Sequence, residues 1–141
     1  MDKPLARYIA FFEHISPQAL EEIDTLFTQD AVFSDPFNEA RGPNEIRAVF
    51  EHMFKTCESP QFAVQEVVEQ GAVAYLHWHF TYGVAQHQNQ IEGVSRVHMS
   101  LEGKVQSHID YWDPARQLYE QVPLLGALLK RLRRRLSALH G

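Results

Sequence analysis

This 141-residue chain has a single cysteine, Cys57. No internal disulfide can form, which is the habit of reducing compartments, and a cytoplasmic location is expected. The N-terminus, MDKPLARYIAFFEH, has no long uninterrupted apolar run and no small-residue cleavage site. Neither a signal peptide nor a membrane span is predicted. The seven glycines are scattered, which excludes a phosphate-cradling loop and a dinucleotide fingerprint. Nucleophilic catalysis also lacks its signatures: Cys57 has no evident base beside it, and Ser95 has no Gly-x-Ser-x-Gly context. Positive charge is scarce over residues 1–122, where 8 Lys+Arg face 18 acids, so 8 − 18 = −10. That balance repels phosphate, and no nucleic-acid partner is expected. Residues 123–141 reverse the pattern, with five bases and no acid.

Apolar material is plentiful. The chain is 45% hydrophobic and 11% aromatic, with nine Phe, enough for one domain with a real core. We place that domain at residues 1–122, followed by a basic helix at 123–141. Leu5, Tyr8, Ile9, Phe12 and Ile15 repeat with helical spacing over about Pro4 to His14. Ser16-Pro17 then reads as an N-cap and first helical residue of a second helix carrying Leu20, Ile23, Leu26 and Phe27. A strand from Asp30 ends at Asp35-Pro36, and Arg41-Gly42-Pro43 opens a third helix with Ile46, Val49, Phe50, Met53 and Phe54 on one stripe. Strands are predicted at Phe62–Glu69, Ala72–Tyr82, Gln90–Leu101 and Lys104–Trp112. Short and longer helices at about Ala115–Gln121 and Pro123–Ala138 finish the chain. Three helices followed by a strand meander specify an α+β fold, with the helices over one face of a curved mixed or antiparallel sheet.

Two sets of polar residues fall on apolar faces. Alternation places Asp35 on the face of Ala31 and Phe33, and Tyr8 lies on the apolar stripe of the first helix. A carboxylate drawn out of water onto such a face is a general-base candidate, or else the cap of a turn. Tyr8 reads most simply as a core residue with its hydroxyl on one partner. On the last strand His108, Asp110 and Trp112 share one face. Asp110 is a second acid/base candidate that His108 could tune, or the two form a structural hydrogen bond. Should Asp35 and Asp110 lie close together, one would act as acid and the other as base. Along Leu76-His77-Trp78-His79-Phe80, the histidines point away from the Trp78 face. That parity argues against a metal in the pocket, and neither metal nor cofactor is expected.

The order of elements resembles the NTF2-like superfold of ketosteroid isomerases, SnoaL-type polyketide cyclases and scytalone dehydratase, a cone-shaped α+β barrel. The resemblance spans about residues 5–113. It is carried by Arg7-Tyr8-Ile9-Ala10, by Leu26 through Pro36, by Gly42-Pro43-Asn44-Glu45-Ile46-Arg47 and by the Gly103-Lys104-Val105 hairpin. It implies proton-transfer chemistry of isomerase, cyclase or dehydratase type on a small apolar carbonyl-bearing molecule. Asp35 then matches the isomerase base, Tyr8 the enolate-stabilising tyrosine and Asp110 the cyclase acid/base, with His108 beside it. Ser95 stands where isomerases carry a protonated aspartate. The implied pocket lining is Phe33, Phe50, Phe54, Trp78, Phe80, Ser95, Val97 and Trp112. A homodimer through the outer sheet face is implied, and Arg96 and His98 share that face. The alternative is a non-catalytic ligand- or lipid-binding protein, or an assembly module, on the same fold. The C-terminal stripe Leu125, Leu128, Leu129, Leu132 and Leu136, flanked by Lys130, Arg131, Arg133, Arg134 and Arg135, suits packing on the body or a dimer mate, or contact with an anionic membrane surface.

Overall fold

A computed structural model describes residues 2–121 and 124–138. The chain forms two compact units, the first through Tyr111 and the second from Trp112.

In the first unit α1 (Lys3–Glu13) starts with Pro4 in its first turn and buries Leu5, Tyr8, Ile9, Phe11 and Phe12. The Ser16 hydroxyl accepts from Ala19 N–H at 3.1 Å, as its capping role requires. The expected second helix is broken: a 3₁₀ segment (Gln18–Glu22) leads into a single turn, α2 (Ile23–Leu26). β1 (Phe27–Ser34) follows without a loop, earlier than the predicted Asp30 start. A short β2 (Glu39–Arg41) hairpins back before α3 (Gly42–Thr56). The four long strands are β3 (Gln61–Gln70), β4 (Val73–Tyr82), β5 (Asn89–Met99) and β6 (Val105–Tyr111), within about two residues of their predicted ends.

The strands form one open sheet in the order β2-β1-β6-β5-β4-β3. All pairs are antiparallel except β1 with β6, which run parallel with Phe33 opposite His108. That pairing brings the N-terminal third of the chain against the last strand. α1 packs on β3, and α2 and α3 pack on β1. The core between them is aromatic. Phe12 meets Tyr8, Phe11, Phe50 and Phe62 with ring centroids 5.0–5.6 Å apart. Phe27, Ile23, Ile46 and Ala31 are fully sealed. Burial of each such large apolar side chain stabilises the fold by about 1.5–3 kcal/mol.

The second unit holds α4 (Pro114–Gln117), a 3₁₀ turn (Tyr119–Gln121) and α5 (Leu125–Leu136). Asp113 caps α4 by accepting from Arg116 N–H. Buried Glu120 takes a two-pronged bond from Arg133, at 2.8 and 3.0 Å, and that guanidinium holds its carboxyl below the usual range. Leu125, Leu128, Leu132 and Leu136 of the predicted stripe are exposed. Pro123, the expected first residue of this helix, lies outside the described residues.

Candidate active site

β4, β5 and β6 each send one face toward the helices, and the ladder register decides which polar residues meet there. Trp78 is opposite Gly93, Ser95 opposite Asp110, and Val97 opposite His108. From these positions the side chains join into one hydrogen-bonded chain. The Trp78 indole N–H donates to Ser95 Oγ at 2.8 Å, and the Ser95 hydroxyl donates to Asp110 Oδ1. His108 Nε2 lies 2.6 Å from the same Oδ1, and its Nδ1 lies 2.7 Å from the Tyr8 hydroxyl. For a neutral imidazole the pattern reads in one sense: Tyr8 O–H donates to Nδ1, and Nε2–H donates to Asp110. The His108 ring also lies flat on Phe33, with centroids 4.5 Å apart and planes 24° apart. Packing and hydrogen bonds together leave the imidazole one orientation.

Asp110 is the exposed end of this chain. Tyr8, Ser95 and His108 are 1–3% exposed, whereas the Asp110 side chain keeps 16% of its surface. Among the described residues its Oδ2 takes no hydrogen bond, and no side-chain polar atom here is both sealed from solvent and unpartnered. Both hydrogen bonds of the Asp110 carboxylate thus fall on Oδ1.

Burial, and after it the nearby Asp110 carboxylate, push the Tyr8 phenol well above its ordinary value near 10. Below pH about 10 the phenol is protonated in folded and unfolded chains alike, so its contribution to stability is fully present. Above that the unfolded chain releases the proton and the folded chain keeps it, so this contribution is lost as pH rises. Tyr8→Phe should therefore be less stable than the parent by about 1 kcal/mol at pH 8, with the gap closing at alkaline pH. Denaturant midpoints measured for both chains across that range test this.

The sequence-predicted residues separate into three groups. Tyr8, His108, Asp110, Ser95 and Trp78 are joined as above, with Phe33 beneath His108. Tyr8 is a core residue whose hydroxyl has His108 as its partner, the plainer of the two roles expected for it; the resemblance implied a hydroxyl on the substrate. Phe50, Phe80 and Val97 are buried, Phe50 edge-on to Phe33 at 5.2 Å and Phe80 beside Phe62 at 4.6 Å. Asp35 engages its own turn. Its Oδ1 accepts from Phe37 N–H at 2.8 Å and Asn38 N–H at 2.7 Å, and both carboxylate oxygens accept from the Asn38 amide at 3.1 Å. The β1–β6 ladder ends with Ser34 opposite Ile109, so Asp35 lies just past it. Phe54 is half-buried on α3, and Trp112 begins the second unit.

Gly93 escaped the sequence reading. A Cβ there would lie 2.5 Å from two carbons of the Trp78 ring and 3.1 Å from the Tyr111 carbonyl oxygen. The bare backbone is what lets the indole lie across β5 and reach Ser95. Only the β4–β5 register reveals this, since Gly93 is not in a turn. Gly93→Ala should cost about 1–3 kcal/mol by overpacking and displace the indole. Thermal melting together with near-ultraviolet circular dichroism would detect both.

Comparison with known proteins places this geometry in context. The family model of the SnoaL-like domain matches residues 8–108. No curated protein matches the chain in sequence. Among solved structures, a protein with a ketosteroid isomerase-like fold from Catenulispora acidiphila DSM 44928, in complex with trimethylamine, is similar with a TM-score of 0.70 at 15% identity, over 84% of this chain and 91% of that one. A LEH-like epoxide hydrolase of M. tuberculosis gives 0.68 at 13% identity, over 92% of this chain and 91% of its own. A candidate SnoaL-like polyketide cyclase from Shewanella putrefaciens CN-32 gives 0.67 at 14% identity, over 80% and 91%. At these identities the likeness is one of fold.

Proposed function

Because the chain belongs to the SnoaL-like domain family, we propose that it is a proton-transfer enzyme of isomerase, cyclase or dehydratase type, acting on a small apolar carbonyl-bearing molecule in a hydrophobic pocket. One observation carries the reading: Ser95 and His108 both hold Oδ1 of Asp110, whose side chain keeps 16% of its surface exposed, which leaves Oδ2 to act as the base. In this mechanism Oδ2 takes a proton from the carbon beside the carbonyl. The electron pair of the broken C–H bond moves into the enolate. The carboxylic acid then returns the proton at a different atom, or the enolate carbon attacks a second carbonyl and the acid protonates the new alkoxide. His108 and Ser95 are positioning residues. They fix the carboxylate plane, and Tyr8 and Trp78 fix them in turn, so the base is oriented before substrate arrives. Asp35, held by its turn, is the second carboxylate available for the opposite half of an acid/base cycle.

A non-catalytic ligand-binding role is the second reading. It is favoured by the engagement of the hydroxyl, indole and imidazole donors within the cluster, which leaves none of them for a developing enolate oxygen.

The test is hydrogen–deuterium exchange at the α-carbon of a panel of cyclic and β,γ-unsaturated steroidal ketones, followed by NMR in D2O. Catalysed exchange that depends on Asp110 supports the enzyme. Saturable binding of the ketones without exchange supports the second reading.

A further inference from the structure

The opposite face of the sheet carries a polar constellation that this reading leaves unused. His77 and His79 project from β4 on the side away from Trp78, as strand alternation demands. Glu92 of β5 is the direct cross-strand partner of His79, and its Oε1 reaches diagonally to His77 Nε2 at 2.7 Å. The two imidazoles meet at right angles with centroids 5.6 Å apart. One donor atom from each of the three residues lies within 4.8 Å of the others.

We propose that His77, His79 and Glu92 form a binding site for a divalent transition ion of the zinc type, with a fourth coordination position open to water. Two imidazoles and a carboxylate are a donor set that zinc accepts, whereas calcium and magnesium prefer oxygen alone. A tetrahedral ion with bonds of about 2.1 Å needs its donors roughly 3.4 Å apart. All three donors already lie within 4.8 Å of one another, close to that spacing. The backbone is well fixed for the purpose, because β4 and β5 pair without interruption from Val73 to Tyr82. A surface His–Glu hydrogen bond alone would explain two of the residues. It does not explain the third donor, brought to the same point by the cross-strand pairing. The site would clamp neighbouring strands on the face away from Asp110, and it does not depend on the proposed reaction.

The experiment is calorimetric titration of the metal-stripped full chain with zinc chloride in a non-coordinating buffer. One saturable site per chain is expected, with no heat from magnesium chloride. His79→Gln and Glu92→Gln should each weaken zinc binding by at least about 100-fold, more than loss of an outer-shell partner costs. His98→Gln, a histidine outside the trio, should bind zinc as the parent does. Zinc should raise the melting temperature of the parent and of His98→Gln but not of the other two variants. Cobalt substitution should give the intense visible absorption of a tetrahedral ion. Absence of saturable zinc binding, or equal affinity in all four chains, would overturn the proposal.

Discussion

Asp110→Asn should slow α-proton exchange by about 10²–10⁴-fold while leaving the protein folded, the usual range for losing a positioned general base. The substitution is close to a one-atom change. The amide oxygen can still accept from Ser95 and from His108 Nε2–H at the place of Oδ1. The amide nitrogen then occupies the place of Oδ2, where it can accept no proton. A structural carboxylate would behave differently: its conversion would change stability and leave exchange untouched. Circular dichroism and the denaturant midpoint, measured beside the exchange rate, separate the two. Asp35→Asn supplies the comparison. If Asp35 were the principal base, its variant would lose exchange and Asp110→Asn would keep it.

Phe33→Ala should give the largest loss of stability, about 3–5 kcal/mol, because a fully buried aromatic ring is removed from a packed core. The ring is 2% exposed, stacks on His108 and meets Phe50 edge-on. The void would open directly beneath the imidazole. His108 would keep its two hydrogen bonds but lose the surface that sets its tilt, so the Asp110 carboxylate would be less well oriented. A urea titration should show a lower midpoint with an unchanged slope. Phe33→Leu, which refills much of the volume, should recover most of the stability and only part of the flat support.

Much of this arrangement was legible in the sequence, and the rest failed for identifiable reasons. Long strands such as Gln61–Gln70 and Val73–Tyr82 show their alternation openly. Glu39–Arg41 does not, because three residues with two charges carry no period. The second helix was misread because the helical spacing of Leu20, Ile23 and Leu26 also fits a 3₁₀ turn running into one α-turn. At the site, alternation correctly grouped His108 with Asp110. It did not join Trp78 to Ser95, or Ser95 to Asp110, because those contacts depend on how β4, β5 and β6 are aligned. Ser95 was noticed as the residue in an acid's place and as pocket lining, not as a link between other side chains. In the fold it is the bridge that ties an indole to a carboxylate. The turn role of Asp35 was visible beforehand in Asp35-Pro36, and its bonds to Phe37 and Asn38 give that role its geometry.

The parallel pairing of β1 with β6 has a consequence for how the protein is made. The Tyr8–His108 bond joins positions 100 residues apart, and β1 meets its parallel partner only at Val105 and beyond. A growing polypeptide emerges from the ribosome N-terminus first, so β1 can meet β2 and α3 early but the edge it shares with β6 stays unpaired until nearly the whole chain has been synthesised. Contacts between such distant segments slow folding, since a large loop must close before any reward arrives. The hydrogen bonds linking Tyr8, His108 and Asp110 are thus among the last features to form, and a ribosome that stops short of residue 105 releases a product whose first strand lacks its parallel partner.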